Sequence, residues 1–403
     1  MSKEEKNRMV PRLRFAEFRD SREWEEKMLD ELFIIGSGKD YKHLGKGDIP
    51  VYGSGGYMLS VDEYLYNGES VCIGRKGTID RPLFLSGKFW TVDTLFYTHS
   101  FNQCIPKFVY LLFQNINWLK HNEAGGIPSL SKTIIGKIEV LVPGSEEQQK
   151  IADCLSSLDE YIIAESQQLE ALKAHKKGLM QQLFPAEDET VPQLRFAEFR
   201  ESGEWEEKRL DQLLQFKNGL NASKELYGKG VKFINVLDIL QNEFITYEMI
   251  IGSVDVSEEI VKNFSVDYGD ILFQRSSETQ EEVGTTNVYL DQQRTSTFGG
   301  FVIRGKKIGE YEPVFLNKLL KTQTIRTSIQ SKSGGSTRFN IGQETLSSTK
   351  VLLPSIIEQK TIADCLSSLD ELIAAQTEKI EALKLHKKGM MQGLFPNTNE
   401  VSE

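Results

Sequence analysis

The most constraining feature of this sequence is a long phrase that occurs twice. Residues 151–160 and 362–371 are both IADCLSSLDE. The match extends without gaps over residues 146–185 and 357–396, where about 27 of 40 positions are identical. Identity at this level indicates an internal duplication, so the fold must contain the same structural segment twice.

A second phrase frames the chain in the same way. Residues 10–33 and 191–214 are identical at about 18 of 24 positions. Between the repeated phrases lie two inserts, residues 34–145 (the first insert) and 215–356 (the second insert), which share almost no sequence. A duplicated frame with unlike contents predicts one protein that recognises two different things at a fixed separation.

Composition is that of an ordinary globular protein. The chain has 403 residues, 39% apolar and 26% charged, enough for two or three domains with their own cores. The formal net charge of −10 argues against a nucleic-acid binder held by bulk electrostatics, but it leaves room for a local basic face or a partner that neutralises phosphates. Four cysteines without CxxC spacing, no signal segment and no membrane-length apolar run predict a cytoplasmic protein with no membrane association.

Apolar residues of the long phrase recur at alternating spacings of three and four, the pattern of a coiled-coil seam. We expect two helices of about 35 residues, roughly 50 Å long, which pair in antiparallel orientation if the two halves are related by a two-fold axis. An ordinary helical hairpin is the alternative, but hairpin helices adjoin in sequence and these lie roughly 200 residues apart. Polar Glu165, Lys176, Gln376 and Lys387 interrupt the seam and are expected to fix its register. The apolar seam positions are Leu155, Leu158, Ile162, Leu169, Leu172, Leu179, Leu183, Leu366, Leu369, Ile373, Ile380, Leu383, Met390 and Leu394.

Each insert contains short β-like runs, then a helix, then a final β-like run, which predicts one α+β fold used twice. The predicted helices cover residues 107–120 and 314–330, and Pro143 and Pro354 close the inserts. The predicted strands are 49–52, 70–73, 91–97 and 137–142 in the first insert, and 231–236, 270–274, 286–290, 300–303 and 348–353 in the second.

Loops of both inserts carry lysine and arginine beside Ser, Asn and Tyr, the residue types that bond phosphates and base edges. Arg75 and Lys76 follow a predicted strand of the first insert, and Arg275 follows its counterpart in the second. For any single residue a solvated side chain is the simpler explanation, because lysine in a glycine-rich loop is usually just hydrated. The nucleic-acid-binding candidates are Lys39, Lys42, Lys46, Tyr52, Ser54, Arg75, Lys76, Lys217, Asn218, Lys224, Arg275, Ser276, Lys332 and Arg338.

Three stretches carry a resemblance to a known family. Residues 50–80 (PVYGSGGYMLSVDEYLYNGESVCIGRKGTID), EQQKIADCLSSLDE and KKGLMQQLFP closely resemble the specificity (S) subunit of type I restriction–modification systems, and the resemblance covers nearly the whole chain. It implies two target recognition domains that bind double-stranded DNA, near residues 10–145 and 191–356. It also implies that the long helices act as a spacer and dock two modification (methyltransferase) subunits, with restriction (translocase/nuclease) subunits added for cleavage. The predicted domains are 1–145 and 186–356 for target recognition, 146–185 and 357–396 for the conserved helices, and 397–403 for a disordered tail.

No catalytic motif accompanies this pattern. The Asn/Asp-Pro-Pro-aromatic motif of adenine methylation is absent, and the five histidines form no metal-binding set. Residues 36–39 (GSGK) resemble a phosphate loop, but Phe33 stands where the first Gly of GxxxxGK belongs and Asp40 replaces Ser/Thr, so we interpret them as a flexible loop. The resemblance then implies a non-catalytic chain without a cofactor, whose partner subunits would hold S-adenosylmethionine, Mg²⁺ and ATP.

Two other functional classes remain as alternatives. One is a coiled-coil adaptor whose two domains bind proteins or small ligands, and the other is a single-chain nuclease or methyltransferase, which the absent motifs disfavour. Unlike inserts on a like frame suit a bipartite, asymmetric DNA target better. In that case each insert would read a half-site of a few base pairs, about one helical turn or near 34 Å from the other.

Overall fold

The computed structural model describes residues 9–335 and 338–396. The predicted disordered tail at 397–403 lies outside the described residues. Within the described part of the chain, no helix is both long enough and apolar enough to span a membrane.

The chain divides into two compact units. One contains residues 1–167 and 377–403, and the other contains residues 168–376. Both divisions fall inside the long helices, so each unit is built from one insert, the start of one long helix and the end of the other.

The first unit alternates short strands with short helices before the first long helix begins. Its helices are α1 Leu29–Leu32, α2 Pro106–Asn115, α3 Lys132–Gly136 and the start of α4 Ser145–Gln182. Its strands are β1 Glu25–Met28, β2 Ile34–Ser37, β3 Lys46–Gly53, β4 Gly56–Val61, β5 Tyr66–Asn67, β6 Ser70–Gly74, β7 Leu83–Leu85, β8 Lys88–Thr91, β9 Leu95–His99 and β10 Glu139–Val142.

The second unit repeats this plan and adds helices inside its insert. Its helices are α5 Val236–Gln241, α6 Glu258–Asn263, α7 Pro313–Leu320, α8 Gln323–Gln330, α9 Gln343–Ser347 and the start of α10 Ile356–Leu394. Its strands are β11 Glu206–Arg209, β12 Leu214–Asn218, β13 Tyr227–Ile234, β14 Ser253–Val254, β15 Ile271–Gln274, β16 Ser276–Ser277, β17 Thr286–Val288, β18 Thr297–Phe298, β19 Val302–Lys307, β20 Phe339–Asn340 and β21 Lys350–Leu353.

The main sheets of the two units have the same strand order although their inserts share almost no sequence. A four-stranded sheet has the order β2-β9-β6-β7 in the first unit and β12-β19-β15-β17 in the second. Beside it, β3 pairs antiparallel with β4 and parallel with β8, and β13 pairs antiparallel with β14 and parallel with β18. The prediction of one α+β fold used twice is confirmed, and strand pairing identifies equivalent positions in the two inserts.

Aromatic side chains from both repeated phrases and from the first insert pack together in the core of the first unit, at the end of α10. Phe395 stacks on Phe108 at a centroid distance of 5.5 Å and meets the edge of Trp24 at 6.0 Å. All three side chains are buried. Because Pro106 begins α2 with its φ already suited to a helix, Phe108 is held in the first turn, facing this core.

The second unit repeats this arrangement with the end of α4. Phe184 lies 5.4 Å from Phe315 and 6.3 Å from Trp205, and Pro313 begins α7 as Pro106 begins α2. The end of each long helix is therefore part of the core of the unit that holds the start of the other long helix.

Every position of the predicted seam is buried or half-buried, and most of the helix positions between them are exposed. In the first unit Lys387 donates to Asp159 at 2.6 Å, and Lys379 donates to Glu165 at 2.7 Å. The partners move back along α10 as they move forward along α4, so the helices run antiparallel there.

In the second unit a cation from the insert joins the seam. Lys318 of α7 is 3% exposed, donates to Asp370 at 2.6 Å and donates to Glu243 at 3.0 Å, while Lys176 of the seam pairs with both acids. Burial alone would raise the pKa of Glu243, but the two lysines lower it to about 2. The equivalent residue of α2 is Leu111, which lies in an apolar core. The first unit therefore has no counterpart of the Lys318 ion pairs among its described residues.

Four local predictions differ from the structure. The helix predicted at 107–120 ends at Asn115, and Trp118–His121 form a separate 3-10 helix. Residues 91–97 form no single strand, because residues 92–94 make a turn between β8 and β9. The helix predicted at 314–330 is two helices, α7 and α8, separated at Lys321–Thr322. The GSGK segment is not a flexible loop: its first two residues end β2, and the Gly38 and Lys39 N–H groups donate to Leu95 and Thr91 carbonyls at 3.3 and 2.9 Å.

Candidate nucleic-acid interface

Arg75 follows β6 directly and connects three segments of the first insert. Its backbone N–H donates to the carbonyl of Thr94 at 2.8 Å, and its guanidinium Nη1 donates to the carbonyl of Asp93 at 3.3 Å. Its own carbonyl accepts the N–H of Leu130 at 2.9 Å. Arg75 thus fixes the turn before β9 and the loop before α3, and its side chain remains exposed.

Arg275 makes the same three hydrogen bonds in the second insert. Its N–H donates to Phe301 at 2.8 Å, its Nη1 donates to Gly300 at 3.3 Å, and its carbonyl accepts from Ile341 at 3.0 Å. The two arginines are therefore structurally equivalent, as their positions after corresponding strands predicted.

The residue that follows each arginine in sequence pairs with a segment next to a pair of glycines. Lys76 forms an antiparallel bridge with Ser129, in the loop that contains residues 125–126 (GG). Ser276 pairs with Asn340 in β20, after the loop that contains residues 334–335 (GG). These loops therefore lie at equivalent places, and each presents backbone and small side chains next to an arginine.

A cleft of about 500 Å³ opens next to Arg75 (the first cleft). Its lining includes the charged side chains Asp40, Lys42 and Asp93, the hydroxyl of Ser54, and the exposed ring of Tyr57. The Asp40 carboxylate accepts the Lys42 N–H at 3.3 Å, which shapes the loop after β2. This cleft offers hydrogen-bond acceptors and a cation in one concave surface.

A cleft of about 300 Å³ opens next to Arg275 (the second cleft). Its lining is uncharged and includes the amides of Asn221 and Asn235, the aromatic Tyr227, and the side chains of Leu237 and Phe301. Leu237 and Phe301 are 61% and 60% exposed. The second cleft thus combines amide groups with apolar surface that no described residue covers.

The structure brings together four of the candidates in the first insert. Lys42 and Ser54 line the first cleft, and Arg75 and Lys76 lie at its edge. Lys39 is exposed at the end of β2, with its backbone carbonyl accepting the Trp90 Nε1–H at 2.8 Å. Of the two remaining candidates, Lys46 lies away from the cleft at the far end of the β3–β4 hairpin. Tyr52 packs against a side cluster of the core, and its ring lies 6.1 Å from that of Tyr57 in the cleft lining.

In the second insert Arg275 and Ser276 lie together at the edge of the second cleft. Lys332 and Arg338 are exposed in the loop that pairs with them, on either side of residues 336–337, which lie outside the described residues. Three other candidates precede Arg275 in the chain and do not line the second cleft. Lys217 Nζ is 2.7 Å from the Asn263 carbonyl and 4.4 Å from the Phe264 ring centre, Asn218 is half-buried in β12, and Lys224 is exposed in a 3-10 helix.

The sequence prediction missed the cleft residues Asp40, Asp93, Asn221, Asn235 and Phe301. The local signal at one of them was the pair of glycines at residues 299–300, which directly precedes the aromatic Phe301. Among residues 9–335 and 338–396, no group of three or more His, Cys, Asp or Glu side chains is placed to hold a metal ion.

Comparison with known proteins places the chain in a family. The model of the type I restriction modification DNA specificity domain matches twice, at residues 21–174 and 202–385. The type I restriction enzyme MjaVIII specificity subunit of Methanocaldococcus jannaschii is 25% identical over 349 residues, which are 82% of this chain and 76% of that protein.

Two solved structures share the fold. The type I restriction–modification S subunit from M. genitalium has a TM-score of 0.60 and 16% identity, with 97% of this chain and 100% of that chain covered. A chain solved in work on complex assembly and conformational transition of the type I R-M system has a TM-score of 0.58 and 14% identity, covering 93% of this chain and 98% of that one.

The repeated frame and the two equivalent inserts, each matched by the family model, define a protein with two DNA specificity domains. The chain belongs to the family of type I restriction–modification DNA specificity proteins, because the family model matches most of its length in two copies. It is a DNA sequence-recognition subunit, and the adaptor alternative is not favoured.

Proposed function

We propose that this chain reads a bipartite, asymmetric target in double-stranded DNA, with one insert for each half-site. The observation that carries the proposal is the equivalence of Arg75 and Arg275 beside clefts of unlike lining. Equivalent arginines suit the same task in both half-sites, namely contact with the phosphate backbone, which positions a protein without reading sequence. Unlike linings suit different base sequences.

The chain acts as a non-catalytic subunit in this proposal. Methyl transfer and cleavage would belong to two modification subunits and to restriction subunits, which would bind S-adenosylmethionine, Mg²⁺ and ATP. The net charge of −10 supports a shared interface, because a chain with this charge gains little from general phosphate attraction and benefits from partners that add cations. The work would take place in the cytoplasm, where the DNA is.

The long helices are proposed to dock the modification subunits. Tyr161 of α4 and Leu372 of α10 occupy the same position of the repeat and are 44% and 54% exposed. Large apolar side chains at matched, exposed positions outside the seam suit two copies of one partner, since each copy would meet the same surface.

The experiment is a gel-shift titration of the purified chain together with its modification subunit on DNA that carries the target. A variant in which residues 34–145 are replaced by the matching segment of another family member should bind a target in which one half-site is new and the other is unchanged. If both half-sites change together, the inserts are not independent readers. Binding of proteins or small ligands without any DNA preference would instead support the adaptor.

A further inference from the structure

The two clefts occupy the same place in the fold. Gly38 donates its N–H to Leu95 at the start of β9, and Gly219 donates to Val302 at the start of β19, at 3.3 and 3.0 Å. By this correspondence Asp40 of the first cleft is equivalent to Asn221 of the second.

A second set of bonds extends the equivalence across each cleft. Val92 donates its N–H to Tyr52 at 3.0 Å, and Gly299 donates to Ile234 at 3.0 Å. Counting onward from each bond, residues 53–55 match residues 235–237 and residues 93–94 match residues 300–301. The segments after β2, at the end of β3 and before β9 therefore have counterparts beside the second cleft, whereas β4 of the first cleft has none.

The chemistry of these matched positions is different in the two inserts. Asp40 is replaced by Asn221, Ser54 by Val236, and Thr94 by Phe301. The hydrogen bonds that flank the clefts are the same, but one wall differs in backbone, because residues 54–55 turn into β4 in the first insert whereas α5 begins at Val236 in the second. Charge, hydrogen-bonding groups and apolar surface differ as well. This is the pattern expected where one scaffold distinguishes two different base sequences.

Resting on the proposed function, we propose that the two equivalent clefts are the base-reading sites, and that the second reads an A·T pair. An asparagine amide can donate to N7 and accept from N6 of adenine in the major groove, and an aromatic side chain contacts the thymine methyl group. Asn221 supplies the amide and Phe301 the apolar contact. Asn221 and Phe301 would contact base edges and so determine the base sequence of the half-site. Arg275 would contact the phosphate backbone of the DNA and position it.

The turn that carries Phe301 is held by hydrogen bonds and by close packing. The Phe301 carbonyl accepts from Arg275 at 2.8 Å and that of Gly300 accepts the Arg275 guanidinium at 3.3 Å, so the turn is fixed on one side. On the other side a Cβ at Gly300 would overlap the Asn221 amide, which shows how closely that side chain lies against the turn. Asn221 and Phe301 are thus neighbours on one fixed surface.

The test is competition binding by the chain with its modification subunit, on a DNA library with all four bases at each position of both half-sites. Asn221→Asp removes the donor to N7 and should reduce the preference for adenine at one position of the second half-site by about five- to 150-fold, the value of one bidentate contact. Asn263→Asp, the same substitution on an exposed residue of α6 outside the cleft, should leave every preference unchanged. Asp40→Asn should alter one position of the first half-site only.

Phe301→Ala provides an independent test of the second cleft. Replacing thymine by uracil removes only the methyl group, so it should weaken binding of the native chain and have no effect on Phe301→Ala.

If Asn221→Asp weakens binding equally at every base, or abolishes it while the thermal midpoint is native, the residue does not read bases and the proposal is wrong. If Asn221→Asp lowers the thermal midpoint of unfolding, the variant Asn221→Ser is used in its place. A native complex without preference at either half-site would refute the proposed function itself, whereas native preferences that no cleft variant changes would refute only this assignment.

Discussion

Arg14 donates two hydrogen bonds to the carboxylate of Glu147, at 2.8 and 2.7 Å, and both side chains are almost completely buried. The hydrogen bond to Glu147 raises the pKa of Arg14. Arg195 and Glu358 make the same pair at 2.7 Å in the second unit. Each pair joins the opening repeated phrase to the first turn of a long helix, so each insert is held between two parts of the frame.

Glu147→Gln should destabilise the first unit by about 3–5 kcal/mol, because it leaves the Arg14 charge buried without a counter-charge. The control is Glu17→Gln, which removes an ion pair with Lys150 in which both side chains are about half exposed, and should have little effect on stability. Chemical unfolding of both variants measures the difference. Equal stability of the two variants would show that the buried pair does not hold the frame together.

Phe395→Ala should cost about 3–5 kcal/mol, because it empties the space between Trp24 and Phe108 in the core of the first unit. Leu385→Ala, which lies on α10 and is 71% exposed, should change the stability by no more than about 0.5 kcal/mol. Thermal unfolding with the two variants side by side tests the contact. A native midpoint for Phe395→Ala would mean that the end of α10 does not contribute to this core.

Asp270 provides a pH test of the second unit. Its carboxylate is 1% exposed, and burial raises its pKa to about 6, against the partial opposition of N–H donors from Asp267 and Lys307. The folded state therefore holds this proton more tightly than the unfolded chain, whose carboxyl titrates near 4, so the stabilisation present below about pH 4 is lost as the pH rises to about 6.

Asp270→Asn should accordingly lose less stability than the native chain between pH 4 and pH 6. The difference in slope should approach about 1.4 kcal/mol per pH unit, the value for one proton. Burial also raises the pKa of Glu312, which keeps part of the slope in the variant. Unfolding curves in this pH range would contradict the assignment if the two proteins gave parallel slopes.

The whole repeated frame, the seam of the long helices and the use of one fold twice could be predicted from the sequence, because local periodicity and internal identity carry that information. The equivalence of Arg75 and Arg275 was also visible, since each directly follows a matched strand. The clefts were not visible. Asp40, Ser54 and Asp93 come from three separate segments, and they meet only because β3 pairs in parallel with β8, a long-range contact that no local pattern encodes. The strand predicted at 91–97 was wrong for a related reason. Residues 92–94 form a turn that Arg75 holds by hydrogen bonds, and this contact is also not visible in the local sequence.

Arg75→Gln should weaken DNA binding to a similar extent on every sequence and lower the slope of log affinity against log salt by about one, as expected for one lost phosphate contact. Arg275→Gln should behave in the same way. Arg209→Gln, at an exposed arginine paired with Asp211 in the repeated phrase, is the matched control and should keep the native slope. A change in base preference without a change in salt slope would assign Arg75 to base reading instead.

The most direct test of the central claim is single-molecule sequencing of methylated bases in a host that expresses this chain with its modification subunit. Two equivalent inserts with unlike clefts predict one interrupted motif, with two different half-sites separated by a fixed number of unread base pairs. A continuous motif, or a palindrome with two identical halves, would contradict the assignment of one half-site to each insert.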